Sequence, residues 1–226
     1  MAIEQTRVTG CGWWTAAGCA ALAVACGSAE GGAAPGEVTP DDLANRAYVI
    51  SEGSNDLFVV DLATMSEVGR VDTSAGSGVN ANHMSMLSAD GRKLYITAAE
   101  QDALVVVDTT TLEVVRRVEL GAHPTHAESC LGCGPDGHDE LWIVNEGGAH
   151  ADEGESEPST GSIAVLDMQT DEVIRTLSDP SLVVPHFVRF SGRTAYVPSI
   201  GGNQITVFDL ATRRVSDVLL RPGVTP

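Results

Sequence analysis

Six histidines and five cysteines are the residues of this chain best suited to chemistry. His83, His126 and His186 open three stretches of similar design, "NHMSMLSADGRK", "THAESCLGCGPDGHD" and "PHFVRFSGRT". Neutral imidazole is a good ligand for Zn, Cu, Fe and Ni. Equivalent histidines brought to one height around an axis would form a metal- or haem-contact ring, or a ring of structural hydrogen bonds. A second group lies in "HPTHAESCLGCGPDGHDE", which holds His123, His126, Cys130, Cys133 and His138. A C-x-x-C pair with flanking histidines can hold a metal, whereas in an exported protein the same pair closes a local disulfide. Free thiols are the third reading. Gly134, not histidine, follows Cys133, so the pair is not a c-type haem attachment site.

The stretch "HADEGESEPSTG" offers His150, Asp152, Glu153, Glu155 and Glu157. It lacks the alternating ligands and central glycine of an EF-hand loop and reads as a solvated loop. No phosphate-binding glycine loop, G-x-S-x-G elbow or H-E-x-x-H helix occurs, and no residue is assigned a catalytic role. The cofactor is left open, with a transition metal as the candidate.

The elements that must position these residues are short strands. Apolar residues make up 43% of the 226, aromatic residues only 4%, and there are 24 glycines, a profile of strands joined by tight turns. With 13 Lys and Arg against 31 Asp and Glu, the formal charge is −18. Such a surface repels phosphate backbones, which argues against nucleic acid as a partner.

One unit recurs four times. The copies are "RAYVISEGSNDLFVVDLATMSEVGRV" from Arg46 and "KLYITAAEQDALVVVDTTTLEVVRRV" from Lys93. They continue with "ELWIVNEGG…GSIAVLDMQTDEVIRTL" from Glu140 and "TAYVPSIGGNQITVFDLATRRVSDVL" from Thr194. Tyr48, Tyr95, Trp142 and Tyr196 are equivalent, as are Asp61, Asp108, Asp167 and Asp209. The aromatic-to-aspartate spacing is constant except in the third copy, where the acidic loop is inserted. Each copy reads as a hairpin, then a D-x-x-T turn, then a third strand. Asp61, Asp108, Asp167 and Asp209 are therefore turn-formers. A fourth strand, beginning at the histidine, precedes the aromatic strand in the last three copies. Four strands per unit is the anatomy of a propeller blade.

The runs "YVISEGSNDLFVVDLAT", "YITAAEQDALVVVDTTT" and "YVPSIGGNQITVFDLAT" resemble YVTN-type β-propeller repeats, over residues 46–220. The resemblance implies an all-β propeller of four-stranded antiparallel blades, three complete and one partial. It also implies an architecture shared with haem-d1 and amine dehydrogenase propellers. The first copy lacks an innermost strand. The final "RPGVTP", Arg221 to Pro226, stands where earlier copies introduce the next histidine. The expectation is a fragment of a ring of about six to eight blades, with open blade edges prone to self-association.

The N-terminus is of different character. "CGWWTAAGCAALAVAC", residues 11–26, is shorter than the about 20 apolar residues of a membrane span and fits an export signal. Ala23-Val24-Ala25-Cys26 followed by Gly-Ser resembles a bacterial lipoprotein lipobox, which implies cleavage before Cys26 and lipid on its sulfur. The organisation expected is a signal at 1–25, a tether at 26–45 and the propeller at 46–226. The function expected is an exported, lipid-anchored envelope scaffold, periplasmic or outer-membrane-associated, that binds a small ligand or an envelope protein. A metal- or haem-binding redox propeller is the alternative. A lactonase-like hydrolase is a third reading, which needs channel carboxylates that the sequence does not place.

Overall fold

In the computed structural model, residues 38–74, 76, 78–79, 81–148 and 159–220 are described. Cys26, the acidic residues 152–157 with His150, and the terminal "RPGVTP" lie outside them. After one short helix, α1 (Pro40–Ala44), every remaining element apart from two single 3-10 turns is a strand. The first sheet holds β1 (Arg46–Ile50), β2 (Asp56–Asp61) and β3 (Ser66–Asp72). The second holds β4 (Asn82–Leu87), β5 (Lys93–Ala98), β6 (Ala103–Asp108) and β7 (Glu113–Glu119). The third holds β8 (Pro124–Cys130), β9 (Glu140–Asn145), β10 (Ser162–Asp167) and β11 (Glu172–Leu177). The fourth holds β12 (Arg189–Ser191), β13 (Thr194–Pro198), β14 (Gln204–Asp209) and β15 (Arg214–Leu220). All pairings are antiparallel between sequence neighbours, so each sheet is a meander and each sequence repeat is one blade.

The D-x-x-T turns are built alike in all four blades. Oδ1 of the aspartate accepts the N–H of the residue three positions on, from Thr64 at 2.7 Å, Thr111 at 3.0 Å, Thr170 at 3.2 Å and Thr212 at 2.8 Å. The next residue is then left-handed: Met65, Leu112, Asp171 and Arg213 have φ of 53°, 57°, 55° and 56°. None is glycine, so the conformation is imposed on side chains that disfavour it. A bulge follows in each pair of outer strands, which turns the strand back into register. The turn N–H groups of Thr64 and Thr212 hold the Asp61 and Asp209 carboxyls below the usual carboxylate range.

These turns also join the blades. In the first three blades, the aromatic residue and the residue two before it lie toward the turn of the next blade. Arg46 donates to the Thr109 carbonyl at 3.1 Å, and Tyr48 and Leu112 both pack against the apolar cluster shared by the first two blades. Lys93 pairs with Asp171 at 2.7 Å, and the Tyr95 hydroxyl donates to the other Asp171 oxygen at 2.8 Å. Arg213 pairs with Glu140 at 2.7 Å, donates to the Cys133 carbonyl at 2.6 Å and lies over the Trp142 ring at 5.4 Å. Burial, reinforced by Asp171, pushes the Tyr95 hydroxyl far above its ordinary range, so it donates as a neutral phenol.

The hydrophobic core is divided accordingly into three clusters, each between two adjacent blades. Leu57 and Val71 of the first blade meet Ile96, Val105 and Val107 of the second. Leu104 and Val106 then meet Ile143, Ala164 and Leu166. Ile163, Val165 and Leu177 meet Val197 and Phe208. Alternate residues of every middle strand face opposite neighbours, as strand geometry requires.

The fourth blade departs from the repeat. Its innermost strand is only three residues long, and the segment bearing His186 is held by a single bridge, Pro185 to Ser199. His186 donates to the Pro198 carbonyl at 3.1 Å, but Pro198 has no N–H to return, which ends the ladder there.

The Glu140–Arg213 pair gives a direct test of the inter-blade contacts. Both side chains are largely buried, at 2% and 12% exposure. Arg213→Met leaves the carboxylate without its cation, and its expected cost is about 3–5 kcal/mol in urea unfolding. The double change Glu140→Leu with Arg213→Met should recover most of that loss. An equal loss in both variants would mean that packing alone, and not the unpaired charge, sets the cost.

Candidate functional site

Each functional histidine is placed by the start of an innermost strand. His83 is the second residue of β4, His126 the third of β8, and His186 precedes β12. The His83 and His126 rings have centroids 5.4 Å apart and are inclined by 66°, and those of His126 and His186 are 4.5 Å apart at 59°. Buried threonines fix this row. Thr97 donates to the Thr125 carbonyl at 2.6 Å and accepts the Met84 N–H at 3.0 Å, and Thr125 donates to the His186 carbonyl at 3.3 Å.

The Nδ1 atoms of His83 and His126 are buried and make no hydrogen bond within the described protein. Nδ1 of His186 lies 2.5 Å from Glu146 Oε1. The Nδ1 atoms of His83 and His126 are thus turned into the protein, and that of His186 is held by Glu146. Burial, with the nearby His186 and His83, lowers the His126 pKa below its usual value. His126 is therefore neutral at pH 7. Although the three rings are neighbours, among the described residues no group of three or more His, Cys, Asp or Glu side chains is arranged to hold a metal ion. His83 and His126 meet edge to face, whereas His126 and His186 are tilted to each other.

Sequence reasoning did not find Glu146 or Glu100. Glu146 follows β9 and reaches both His186 and, at 3.8 Å, Nε2 of His123. Glu100 stands 3.7 Å from Nδ1 of His123. A signal existed for Glu146, because the repeat places it at the position of Glu52, four residues after the aromatic. His123 itself is left-handed, with φ 54°, and its N–H donates to Asp102 at 2.8 Å. It belongs to this acidic rim and not to a cysteine site.

The cysteine–histidine cluster of the third repeat is dispersed along its strand. A disulfide joins Cys130 to Cys133 at the far end of β8. His138 turns its Nδ1 to Asp167 Oδ2 at 2.9 Å, which holds the Asp167 carboxyl below the usual range. That dyad borders a cleft between the second and third blades, lined also by Arg92, Lys93 and Asp139. The cleft lies at the opposite end of the blades from His83, His126 and His186. Among the described residues, no helix is long and apolar enough to cross a membrane.

Four antiparallel meander sheets, packed face to face with their first strands adjacent, define a β-propeller. Comparison with known proteins agrees. The chain is similar to hydrazine synthase of Kuenenia stuttgartiensis, with a TM-score of 0.63 and 21% identity over 87% of this chain. It spans about half of that protein, 52% of its length. It also matches dihydro-heme d1 dehydrogenase NirN in complex with DHE, at a TM-score of 0.49 and 14% identity, over 81% of this chain and 45% of that one. No protein-family profile matches the chain, and no curated protein sequence does.

The depressed His126 pKa has a sign that can be checked. A histidine whose folded pKa lies below its unfolded value of about 6.5 favours folding above that pH. This contribution is lost as pH falls through the folded value. Urea midpoints at pH 7.5 and pH 5 should therefore differ less in His126→Gln than in the unaltered protein. An unchanged difference would place the pH sensitivity elsewhere.

Proposed function

We propose that this chain is an exported, lipid-anchored envelope β-propeller that serves as a ligand-binding scaffold and does no catalysis of its own. The ligand is seated on the axial face, against His83, His126 and His186. The supporting observation is the row of three neighbouring imidazoles, with the Nδ1 atoms of His83 and His126 buried and that of His186 held by Glu146. Closely spaced polar side chains of this kind are what orients a small molecule in a binding site. Export and lipidation rest on the sequence around Ala23-Val24-Ala25-Cys26.

The neutral state of His126 supports a second reading, in which a transition metal or haem is the ligand, since neutral imidazole is the coordinating form. The rings as they stand do not converge as a ligand set. This reading therefore requires them to rotate on binding.

Elemental analysis and a visible spectrum of the purified protein decide between the two. The scaffold reading expects no stoichiometric metal, no visible band, and a fold retained after His83→Ala, His126→Ala and His186→Ala together. One Cu, Fe or Zn per chain, lost in the triple variant, would replace it with the metal reading. Unfolding of the triple variant without any metal would make the histidines structural and remove the proposed site.

A further inference from the structure

The third blade carries a loop that its neighbours lack. Residues 131–139 join its innermost and aromatic strands, whereas residues 88–92 and 192–193 suffice in the second and fourth blades. This longer loop packs on the Glu140–Arg213 pair. The Cys133 carbonyl accepts Nη2 of Arg213 at 2.6 Å, and the same nitrogen reaches both Glu140 oxygens at 2.7 Å. Gly134 lies so near the Glu140 side chain that an added Cβ would stand 3.1 Å from its Cγ. Cys133, Gly134 and Pro135 also share a cleft with Leu210 and Ala211 of the fourth blade.

The closed loop leaves one group unsatisfied. Nη1 of Arg213 is buried and has no hydrogen-bond partner among the described residues. A buried donor without a partner is unfavourable, and a buried ion pair has lost its hydration. Water reaching the pair would relieve both. Part of what holds the loop down is covalent, because the Cys130–Cys133 disulfide ties its first turn to the end of β8. Cys130 is buried in the apolar cluster of the third and fourth blades, and Cys133 packs against that cluster from its edge. The bridge therefore anchors the loop to the interface that the ion pair joins. Leu131 and Gly132, enclosed by the disulfide ring, are exposed, Leu131 by 63%, so a second molecule can approach the bridge.

We propose that this disulfide is a redox lock on the interface between the third and fourth blades, opened by a dithiol. A thiolate of the dithiol attacks Sγ of Cys133, the less buried of the two. The S–S bond breaks, and Cys130 leaves as a thiolate that takes up a proton. The second thiol of the reagent then attacks the mixed disulfide, which oxidises the reagent to its disulfide and returns Cys133 as a thiol. The protein gains two electrons and two protons in all. The loop then lifts, and water enters between Glu140 and Arg213. The lock does not involve the histidine row, so it stands or falls apart from the ligand reading.

Hydrogen exchange on the purified full chain, read by mass spectrometry with and without dithiothreitol, tests this directly. Alkylation mapped to Cys130 and Cys133 reports their redox state. Reduction should speed amide exchange about tenfold in residues 131–142 and 210–214, as expected of local opening, and leave residues 46–119 unchanged. Cys130→Ser with Cys133→Ser should show the reduced pattern without reductant. In Glu140→Leu with Arg213→Met there is no ion pair to hydrate, so reduction should shift the urea midpoint less than in the unaltered protein. Equal shifts in the two proteins would overturn the proposal. So would a bridge that the dithiol reduces only after unfolding, or unchanged exchange in residues 131–142 once it is reduced. Faster exchange in every blade would also overturn it, and would make the bridge a general stabiliser of the fold.

Discussion

The structure depends on a single turn, repeated four times. Each aspartate spends one oxygen on the N–H of the residue three positions on, which forces the next residue into the left-handed region. That residue is where the preceding blade takes hold. The chemistry of the grip varies, apolar at Leu112, anionic at Asp171 and cationic at Arg213, but its position does not. The backbone supplies the geometry, and the side chains are chosen to suit each neighbour.

The grip lies at one end of the blades, and the histidines lie at the other. Lys93 begins β5 beside the turn, whereas His83 pairs with the region where β5 ends. The axial end has inter-blade contacts of its own, from Thr97 to Thr125, from Thr125 to His186 and between Glu146 and His186. There, Glu146 and the buried threonines hold the row of imidazoles in place.

Much of this was legible in the sequence, and the reason is periodicity. A hairpin signal, a fixed aromatic-to-aspartate spacing and D-x-x-T together specify a blade, and the repeats specify a propeller. The histidines were found because equivalent positions in a rotational array share a height. Glu100 and Glu146 were not found, because a carboxylate after a strand looks like any surface acid until the chain folds it against a neighbouring blade. The short β12 fits Pro198 on the strand beside it, which has no N–H to give to that ladder, and this becomes visible only once β13 is placed next to the His186 segment. Cys130, Cys133, His126 and His138 look like one cluster in sequence, but a seven-residue strand separates its two ends in space.

The account stands on the claim that the turn and the aromatic of adjacent blades form one energetic unit. A double-mutant cycle between Tyr95→Phe and Asp171→Asn, read from urea unfolding at neutral pH, addresses it most directly. The account predicts that the two substitutions are coupled by about 0.5–3 kcal/mol, the range for residues in one hydrogen-bonded network. Strictly additive losses would contradict it and leave the blades held together by apolar packing alone.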